Sequence, residues 1–163
     1  MKINLRKIIE TSIDAKTKML NVNLEAIDNA CKLMLGSVNG GNKILWCGNG
    51  GSAADSQHMS AELMGGLRSH TRDPIPSIAL STDSSFLTAW SNDTSFDDIF
   101  SRQIEGIGLP GDILVAISTS GNSTNVLNAI KTAQNKDIKS VVLTGKSQGK
   151  MKGMGDVMIS VPT

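Results

Sequence analysis

The residues best suited to chemistry in this sequence are His58 and Glu62, which lie four positions apart. On a helix, both would project from one face with Cβ atoms roughly 5–6 Å apart. An imidazole and a carboxylate at that spacing can bind one metal ion or contact one substrate. The alternative is that His58 is a packed helix residue and Glu62 a solvated one. We favour the functional interpretation because both residues directly follow the turn described next.

The stretch before these residues has the composition of an anion-binding turn. Residues 43–47 form a short apolar run and are predicted to be a buried strand. Three glycines follow within four residues, and glycine lets the backbone turn and approach a ligand closely. Ser52 and Asp55 have the spacing of a capping box, which predicts that a helix starts there. Free N–H groups and the positive end of the helix dipole would then point at one spot.

A second loop, Ser-Thr-Ser-Gly-Asn-Ser at 118–123, is rich in hydroxyl groups. It follows the strongest predicted strand, residues 112–117, and precedes another predicted helix. Hydroxyls together with N–H groups at a helix N-terminus can hold a phosphate without a lysine. The alternative is an ordinary turn with N-capping serines. Because one hydroxyl suffices for a cap, the loop predicts a phosphate site.

The elements that must position these residues alternate between strand and helix. Further strands are predicted at about 77–80, 140–144 and 157–161. This alternation predicts an α/β fold, a flavodoxin-like three-layer sandwich with a five-stranded parallel sheet. Ligands of such sheets lie outside the carboxyl ends of the strands, so the loops after the first three predicted strands would share one rim.

Two predicted helices, at about 3–20 and 24–38, precede the first strand. One α/β layer does not require both of them. Their apolar faces would pack against another subunit or cover the sheet edge, and the pattern leaves both possibilities open. Further along, a short helical stretch is predicted from Phe86 to Trp90, and the polar residues 91–93 are predicted to interrupt it.

Composition excludes several classes of protein. A length of 163 residues suits one domain. A net charge of +1 and an aromatic content of 3% argue against a nucleic-acid or membrane partner. No apolar run approaches the ~20 residues of a transmembrane helix, and the N-terminus lacks the apolar stretch of a signal peptide. Cys31 and Cys47 are predicted to be core thiols of a cytosolic protein.

Residues 48–53 also fit the dinucleotide-binding pattern G-x-G-x-x-G/A. That pattern requires an acidic residue at the end of the second strand to bind the ribose. Asp83 is the only candidate, and it lies in a serine/threonine cluster about 30 residues beyond the turn. The pattern also leaves His58, Glu62 and the hydroxyl loop without a role, so we reject it.

Six motifs together resemble the bacterial phosphoheptose isomerases, which are SIS domain proteins. These motifs are Cys-Gly-Asn-Gly-Gly-Ser at 47–52, His58 with Glu62, Asn92-Asp93, Ile-Phe-Ser-Arg at 99–102, Ile-Ser-Thr-Ser-Gly-Asn-Ser at 117–123 and Leu-Thr-Gly-Lys at 143–146. They match in order, and the resemblance runs from the first helices to the last residue. It implies an aldose–ketose isomerase that converts sedoheptulose 7-phosphate into D-glycero-D-manno-heptose 7-phosphate through an enediol. The product would serve the lipopolysaccharide core or related glycans.

The resemblance also implies roles for individual residues. The implied substrate-binding residues are Asn49, Gly50, Gly51, Ser52, Glu62, Asn92, Asp93, Ser118, Thr119, Ser120 and Ser123. Glu62 is the implied catalytic base, and His58 and Glu62 are the implied zinc ligands. A tetrahedral zinc would need two more ligands. The family resemblance further implies a cytoplasmic homotetramer with active sites at subunit contacts.

Two departures from the family pattern carry expectations of their own. Family members continue into a helix with a Gln and a His, which complete the zinc site and supply the partner acid/base. We interpret the present sequence as one SIS domain over 1–163, with assembly helices at 1–38 and a core at 43–163. It has no counterpart of that helix. We therefore expect a protein of these residues to bind sugar phosphate but turn it over poorly. In addition, Gly66 stands where some relatives have a substrate-contacting arginine, and Arg68 lies two residues later.

A second class of function stays open from the sequence. The chain could be a non-catalytic SIS module that binds a phosphosugar, or a protein that binds a replication initiator. His58 and Glu62 favour the enzyme, because a pure binding module needs neither a base nor a metal ligand at helical spacing.

Overall fold

The computed structural model describes residues 4–162, and in that range helices and strands alternate. The helices are α1 (Leu5–Val22), α2 (Leu24–Asn39), α3 (Gly51–Gly65), α4 (Ser84–Asp93), α5 (Ile99–Ile107) and α6 (Thr124–Asn135). The strands are β1 (Ile44–Gly48), β2 (Ser77–Ala79), β3 (Ile113–Ser118), β4 (Lys139–Thr144) and β5 (Val157–Ser160). The predicted helix start at about residue 3 and the ends of the predicted domain, 1–3 and 163, lie outside the described residues.

The five strands form one parallel sheet in the order β2-β1-β3-β4-β5. The α/β fold and the five-stranded parallel sheet are therefore confirmed. Strand β1 lies between β2 and β3, so the chain runs to one side of it for β2 and to the other side for β3. This reversal creates a topological switch point between β1 and β3, where open α/β sheets bind their ligands.

Both faces of the inner strands β1 and β3 are mostly buried, so these strands are almost entirely apolar rather than alternating with polar residues. Along β1, Leu45 and Cys47 pack towards α5 and α6, while Ile44 and Trp46 face α2 and α3. The other strands follow the same period of two, as expected for a pleated sheet. Helices on both faces give the three predicted layers.

The two N-terminal helices behave differently from each other. Helix α2 packs on the sheet through its partly buried Leu33, Met34 and Val38, whereas no residue of α1 is buried. Asn23, at the junction of these helices, donates from Nδ2 to the Ser160 carbonyl at 2.8 Å and so ties the helical pair to β5. None of the helices in the described part of the chain has the length and apolarity needed to cross a membrane.

The prediction of two core thiols is half wrong. Cys47 is buried in β1, and this burial raises the pKa of its thiol from 9.0 to about 12. Cys31, in contrast, is exposed on α2. Helix α2 is covered by the sheet along only one side, and Cys31 lies on its flank rather than on the packed side.

The amino ends of β1 and β3 are joined by a buried charge pair. Asp112 is 1% exposed and accepts hydrogen bonds from the Lys43 backbone N at 3.0 Å and from Lys43 Nζ at 2.6 Å. The Leu109 backbone N donates a third, at 2.8 Å. The carboxylate thus fixes where β1 begins relative to β3, and it accepts the hydrogen bond in each of these three contacts.

We predict that Asp112→Ala destabilises the protein strongly, because it leaves the Lys43 ammonium, whose side chain is 17% exposed, without its counter-ion. The expected loss in the free energy of unfolding is about 3–5 kcal/mol, measured by urea denaturation. Asp14→Ala is the matched control, since it removes a salt bridge to Lys18 on the exposed surface of α1. Equal unfolding midpoints for the two variants would contradict the role given to Asp112.

Candidate functional site

The turn between β1 and α3 leaves a helix N-terminus open. Gly50 is the N-cap residue of α3 and has a φ of 56°, which glycine adopts without strain. Because glycine has no side chain, no side-chain cap satisfies the first N–H groups of the helix. The predicted capping box is therefore wrong, since Ser52 already lies within the first turn. The open N-terminus is suited to an anion.

The loop between β3 and α6 also keeps its hydroxyls away from helix capping. Ser123 is the N-cap residue of α6 but makes no side-chain cap bond. Its Oγ lies 3.1 Å from the Oγ of Ser118, and the Val126 backbone N donates instead to Asn125 Oδ1 at 2.9 Å. This geometry argues against a loop of N-capping serines. The two hydroxyls form a pair beside a helix N-terminus, as a phosphate site requires.

The remaining two hydroxyl residues of this loop, Thr119 and Ser120, are exposed. Ser120 Oγ accepts a hydrogen bond from the Asn122 backbone N at 3.2 Å. The Thr119 carbonyl accepts one from the Gly145 backbone N at 2.9 Å. The side chains therefore face solvent while the loop backbone is held by the segment after β4.

That segment, residues 145–151, packs directly on the hydroxyl loop. The Met151 backbone N donates to the Gly121 carbonyl at 3.1 Å, and the Lys150 backbone N donates to Asn122 Oδ1 at 3.0 Å. Gly121 has a φ of 66°, and a Cβ there would lie 1.9 Å from the Gln148 carbonyl oxygen. The residue pattern of this segment did not indicate that it packs on the loop 118–123. The presence of Gly121 in the motif does not indicate which backbone segment packs against it.

The two loops meet at the switch point between β1 and β3. Asn49 Nδ2 donates to Asn125 Oδ1 at 2.8 Å, and Asn125 Nδ2 donates back to Asn49 Oδ1 at 2.9 Å. The open N-termini of α3 and α6 therefore lie side by side. We call the turn 48–52 and the loop 118–123 together the phosphate cradle. Asn125 was not among the predicted site residues, because its partner comes from a distant part of the sequence.

His58 and Glu62 are neighbours on α3, as their spacing predicts. Their Nε2 and Oε1 atoms are 3.3 Å apart, and their side chains are 64% and 31% exposed, respectively. They line a cavity of about 520 Å³ whose other walls are mainly apolar. These walls include Trp46, Met59, Leu63, Leu67 and Ile75. A carboxylate in such a setting can move protons, and the pair can hold a cation.

The C-terminal turn of α3, which carries Glu62, is held by an arginine. Arg72 donates from Nη2 to the carbonyls of Glu62 and Leu63 at 2.7 and 2.6 Å. These bonds satisfy carbonyls that a helix end leaves free, and the guanidinium charge is favourable at this end of the helix dipole. Gly66, where some relatives of the resembled family have arginine, is the C-cap residue with a φ of 91°.

The structure does not bring Glu62 to the cradle of its own chain. Glu62 lies eleven positions after Gly51 on the same straight helix. At 1.5 Å per residue, the separation along the axis is about 16 Å. The cavity beside Glu62 includes no residue of the cradle. The two parts of the predicted site therefore lie at opposite ends of α3.

Asn92 and Asp93 form the last turn of α4 and are exposed. The predicted interruption at residues 91–93 is wrong, because α4 continues through them. Ser91 Oγ donates to the Leu87 carbonyl at 2.6 Å, which satisfies this polar side chain within the helix. Asn92 donates to Asp93 at 2.8 Å, and no hydrogen bond within residues 4–162 joins either side chain to the cradle.

The donors available to a metal are likewise limited to the pair on α3. Among the residues that the structure describes, no cluster of three or more His, Cys, Asp or Glu side chains could hold a metal ion. His70, the other histidine, is exposed, and its Nδ1 lies 3.2 Å from the Gly65 carbonyl oxygen.

Comparisons with known proteins identify relatives along the whole chain. A family model for the SIS domain matches residues 9–145. The phosphoheptose isomerase of Shewanella sp. (strain ANA-3) is 51% identical over 166 aligned positions, which cover all of this chain and 82% of that protein.

Two solved structures of similar sequence share the fold. A phosphoheptose isomerase from Neisseria gonorrhoeae has a TM-score of 0.91 and 42% identity, with coverage of 98% of this chain and 84% of that one. One from Francisella tularensis has a TM-score of 0.94 and 36% identity, with the same coverage.

The contact between Gly121 and the 145–151 segment gives a prediction. Gly121→Ala places a methyl group against the Gln148 backbone at a φ unfavourable for alanine, so the cradle must shift. We expect binding of inorganic phosphate, measured by calorimetry, to weaken at least about tenfold. Gly106→Ala in α5 is the control, because nothing lies within 4 Å of the added methyl. Unchanged phosphate binding in Gly121→Ala would contradict the assignment of this loop.

Proposed function

The chain belongs to the SIS domain family and, within it, to the phosphoheptose isomerases, and we propose that it interconverts sedoheptulose 7-phosphate and D-glycero-D-manno-heptose 7-phosphate. The observation that carries this proposal is the phosphate cradle, in which two uncapped helix N-termini and paired hydroxyls meet at the switch point. In the cell, this reaction would supply heptose for the lipopolysaccharide core or related glycans. Loss of heptose from such glycans in a strain lacking the gene would test that role.

Binding begins at the phosphate. Ser118 and Ser123 present a hydroxyl pair, and Thr119 and Ser120 add exposed hydroxyls at the mouth of the loop. The N-termini of α3 and α6, which the Asn49–Asn125 contact holds together, both lie beside this loop. Hydroxyls and amides are neutral donors, so the favourable dipole ends of both helices supply the electrostatic component.

Glu62 is the base in this proposal. Isomerisation of a ketose requires removal of a proton from C1 and delivery of a proton to C2, with an enediol between the two steps. The hydroxyl proton on O1 is lost and one is gained by O2, so C1 becomes the aldehyde and C2 the alcohol. A half-buried carboxylate at the mouth of a mainly apolar cavity can carry the carbon-bound proton across one face of the enediol.

The distance along α3 supports a site that is shared between copies of the chain. An extended heptulose phosphate measures about 10 Å from phosphorus to C1, with bonds near 1.5 Å. The separation along α3 between the cradle and Glu62 is about 16 Å. We therefore propose that the active site combines the cradle of one copy with Glu62 of another.

Assembly is supported by the exposed face of α1. Its large apolar residues Leu5, Ile8, Ile9, Ile13, Leu20 and Val22 are all exposed. A contiguous apolar surface of this kind is typical of protein–protein contacts. We propose a homotetramer, as the family resemblance implies, and sedimentation velocity measures its mass.

A cytoplasmic location fits the two free cysteines and is tested by cell fractionation.

Zinc fits the pair on α3 in part. A His nitrogen and a Glu oxygen are ligands that zinc accepts, and at 3.3 Å apart they are close enough to contact one ion. Bound there, zinc would stabilise negative charge that develops on the enediol oxygens. His58 and Glu62 provide two of the four positions that tetrahedral zinc requires. We propose that these two residues are protein ligands of a zinc ion.

The activity can be tested in deuterated water. We expect the protein to form the aldose from sedoheptulose 7-phosphate with deuterium at C2, as measured by NMR, because Glu62 exchanges its proton with solvent. Glu62→Gln should abolish this reaction, while Glu105→Gln, an exposed glutamate on α5, should not. Tight substrate binding without any Glu62-dependent aldose would favour the non-catalytic module instead.

Shared sites are tested by mixing two defective variants. One carries Glu62→Gln, and the other has Ser118, Ser120 and Ser123 all changed to Ala. After subunit exchange at equal amounts, about a quarter of composite sites would combine an intact cradle with an intact Glu62. Activity should therefore reappear in the mixture. If each site lay within one chain, every site would carry a lesion and the mixture would stay inactive.

The zinc assignment has its own test. We expect His58→Ala to weaken zinc binding, measured by competition with a chelating dye, by at least about tenfold, since one of two protein ligands is removed. His70→Ala should bind zinc as the unaltered protein does, because its imidazole lies in an exposed loop. Equal zinc affinity in the two variants would refute the assignment of His58.

A further inference from the structure

The amide pair between Asn49 and Asn125 joins the turn 48–52 to the first turn of α6, directly after the loop 118–123. Each side chain donates one hydrogen bond and accepts one, at 2.8 and 2.9 Å. Asn49 follows β1, and Asn125 lies in the first turn of α6, which follows β3. The pair therefore bridges the two loops directly at the switch point.

Asn125 is buried, so its side chain contacts other groups of the protein and not solvent. Its residue is 2% exposed, whereas Asn49 lies half-buried at the rim. Asn125 Oδ1 accepts a second hydrogen bond from the Val126 backbone N at 2.9 Å, so the side chain is held from two directions. A buried amide with all of these partners satisfied has one well-defined orientation. The Asn125 amide can therefore hold the Asn49 side chain in one position.

We infer that Asn125 is a positioning residue for the sugar-phosphate site. It holds the turn 48–52 at a set distance from the Ser118 and Ser123 hydroxyls, so that both helix N-termini address the same phosphate. This inference rests on the proposed function, because it assigns the cradle to the substrate phosphate. Nothing in the residue pattern alone indicated this role, since the two asparagines are 76 positions apart.

The chemistry requires an amide at position 125. A carboxylate there keeps the acceptor for the Val126 backbone N and for Asn49 Nδ2, but it has no hydrogen to donate to Asn49 Oδ1. The Asn49 oxygen would then face a second oxygen, and the turn would move away. A capping role, in contrast, would be served as well by aspartate as by asparagine. Retention of phosphate affinity in the aspartate variant would therefore indicate a capping role alone.

The test compares Asn125→Asp and Asn125→Ala with a matched control. Both variants lose the reciprocal pair, but only the alanine loses the bond to Val126 and only the aspartate adds charge near the phosphate. Asn128→Ala removes an amide one turn further along α6, which donates to the Asp97 carbonyl and to Asp98 Oδ1. Steady-state turnover of sedoheptulose 7-phosphate and titration with inorganic phosphate are measured for each.

We expect both Asn125 variants to raise KM and to weaken phosphate binding about tenfold, because the aspartate loses one hydrogen bond to Asn49 and opposes two oxygen atoms, and the alanine loses both bonds to Asn49. Their kcat should stay within about twofold of the unaltered protein, because saturating substrate restores the occupied site. Asn128→Ala should change neither constant. The Asn49 side-chain amide signals in a nitrogen–proton NMR spectrum should shift in both Asn125 variants and not in the control.

Each other result overturns a stated idea. If Asn125→Asp retains the KM and phosphate affinity of the unaltered protein, Asn125 is only a helix cap and the inference is wrong. A fall in kcat with KM unchanged would indicate fewer folded molecules and would also overturn it. If the unaltered protein binds phosphate, and Asn125 variants weaken that binding, but no aldose forms, the proposed function fails while the positioning role stands. No phosphate binding by the unaltered protein would overturn both.

Discussion

The parallel pairing of β1 with β3 is the constraint on which the rest of the molecule depends. It runs from Ile44 beside Ile113 to Gly48 beside Ile117, and side chains fix it at both ends. Asp112 fixes the amino ends through its bonds to Lys43, and the Asn49–Asn125 pair joins the loops at the carboxyl ends. A slip of register by one residue would exchange the buried faces of both strands and separate the two helix N-termini. Core packing and ligand binding therefore depend on the same alignment.

The length of α3 determines how the chemistry is divided. The helix begins at the cradle and carries Glu62 in its last turn, so the proposed phosphate-binding residues and the proposed base are about 16 Å apart along one helix. Its far end is fixed to the loop before β2 by Arg72, and its near end is fixed by the turn after β1. In the proposed function, one substrate molecule is therefore bound between copies of the chain. The exposed apolar face of α1 provides a surface by which copies can associate.

The parts predictable from the sequence are those that depend on local pattern. Apolar runs with flanking glycines located the strands, and the hydroxyl-rich loop located the cradle, because each signal lies within a few residues. Local rules failed where a tertiary contact competed with them. The hydroxyl of Ser123 pairs with Ser118 instead of capping its helix, and Ser91 is satisfied within α4, so a polar run did not end it. Gly50, rather than Ser52, caps α3.

The contacts that single-sequence reasoning missed join residues far apart in the chain. Asp112 and Lys43 are 69 positions apart, and the Met151 backbone closes on Gly121 across the end of β4. The sequence around one partner does not indicate the other, since an aspartate before a strand and a glycine in a loop are both common. Cys31 shows the complementary limit: helical periodicity indicates that a side chain lies near the apolar stripe, but not how far the sheet extends over it.

The placement of the two tryptophans gives the molecule two separate optical reporters. The sequence contains no tyrosine, so ultraviolet emission comes from Trp46 and Trp90 alone, without energy transfer from a phenol. Trp46 is buried in β1 and donates to Ser77 Oγ at 2.9 Å, so its emission reports the integrity of the sheet. Trp90 stacks on Phe86 and lies 5.0 Å beneath the Arg102 guanidinium, so its emission reports the seating of α4. Replacing either tryptophan with phenylalanine would therefore leave one tryptophan, whose emission reports on either the sheet or the position of α4.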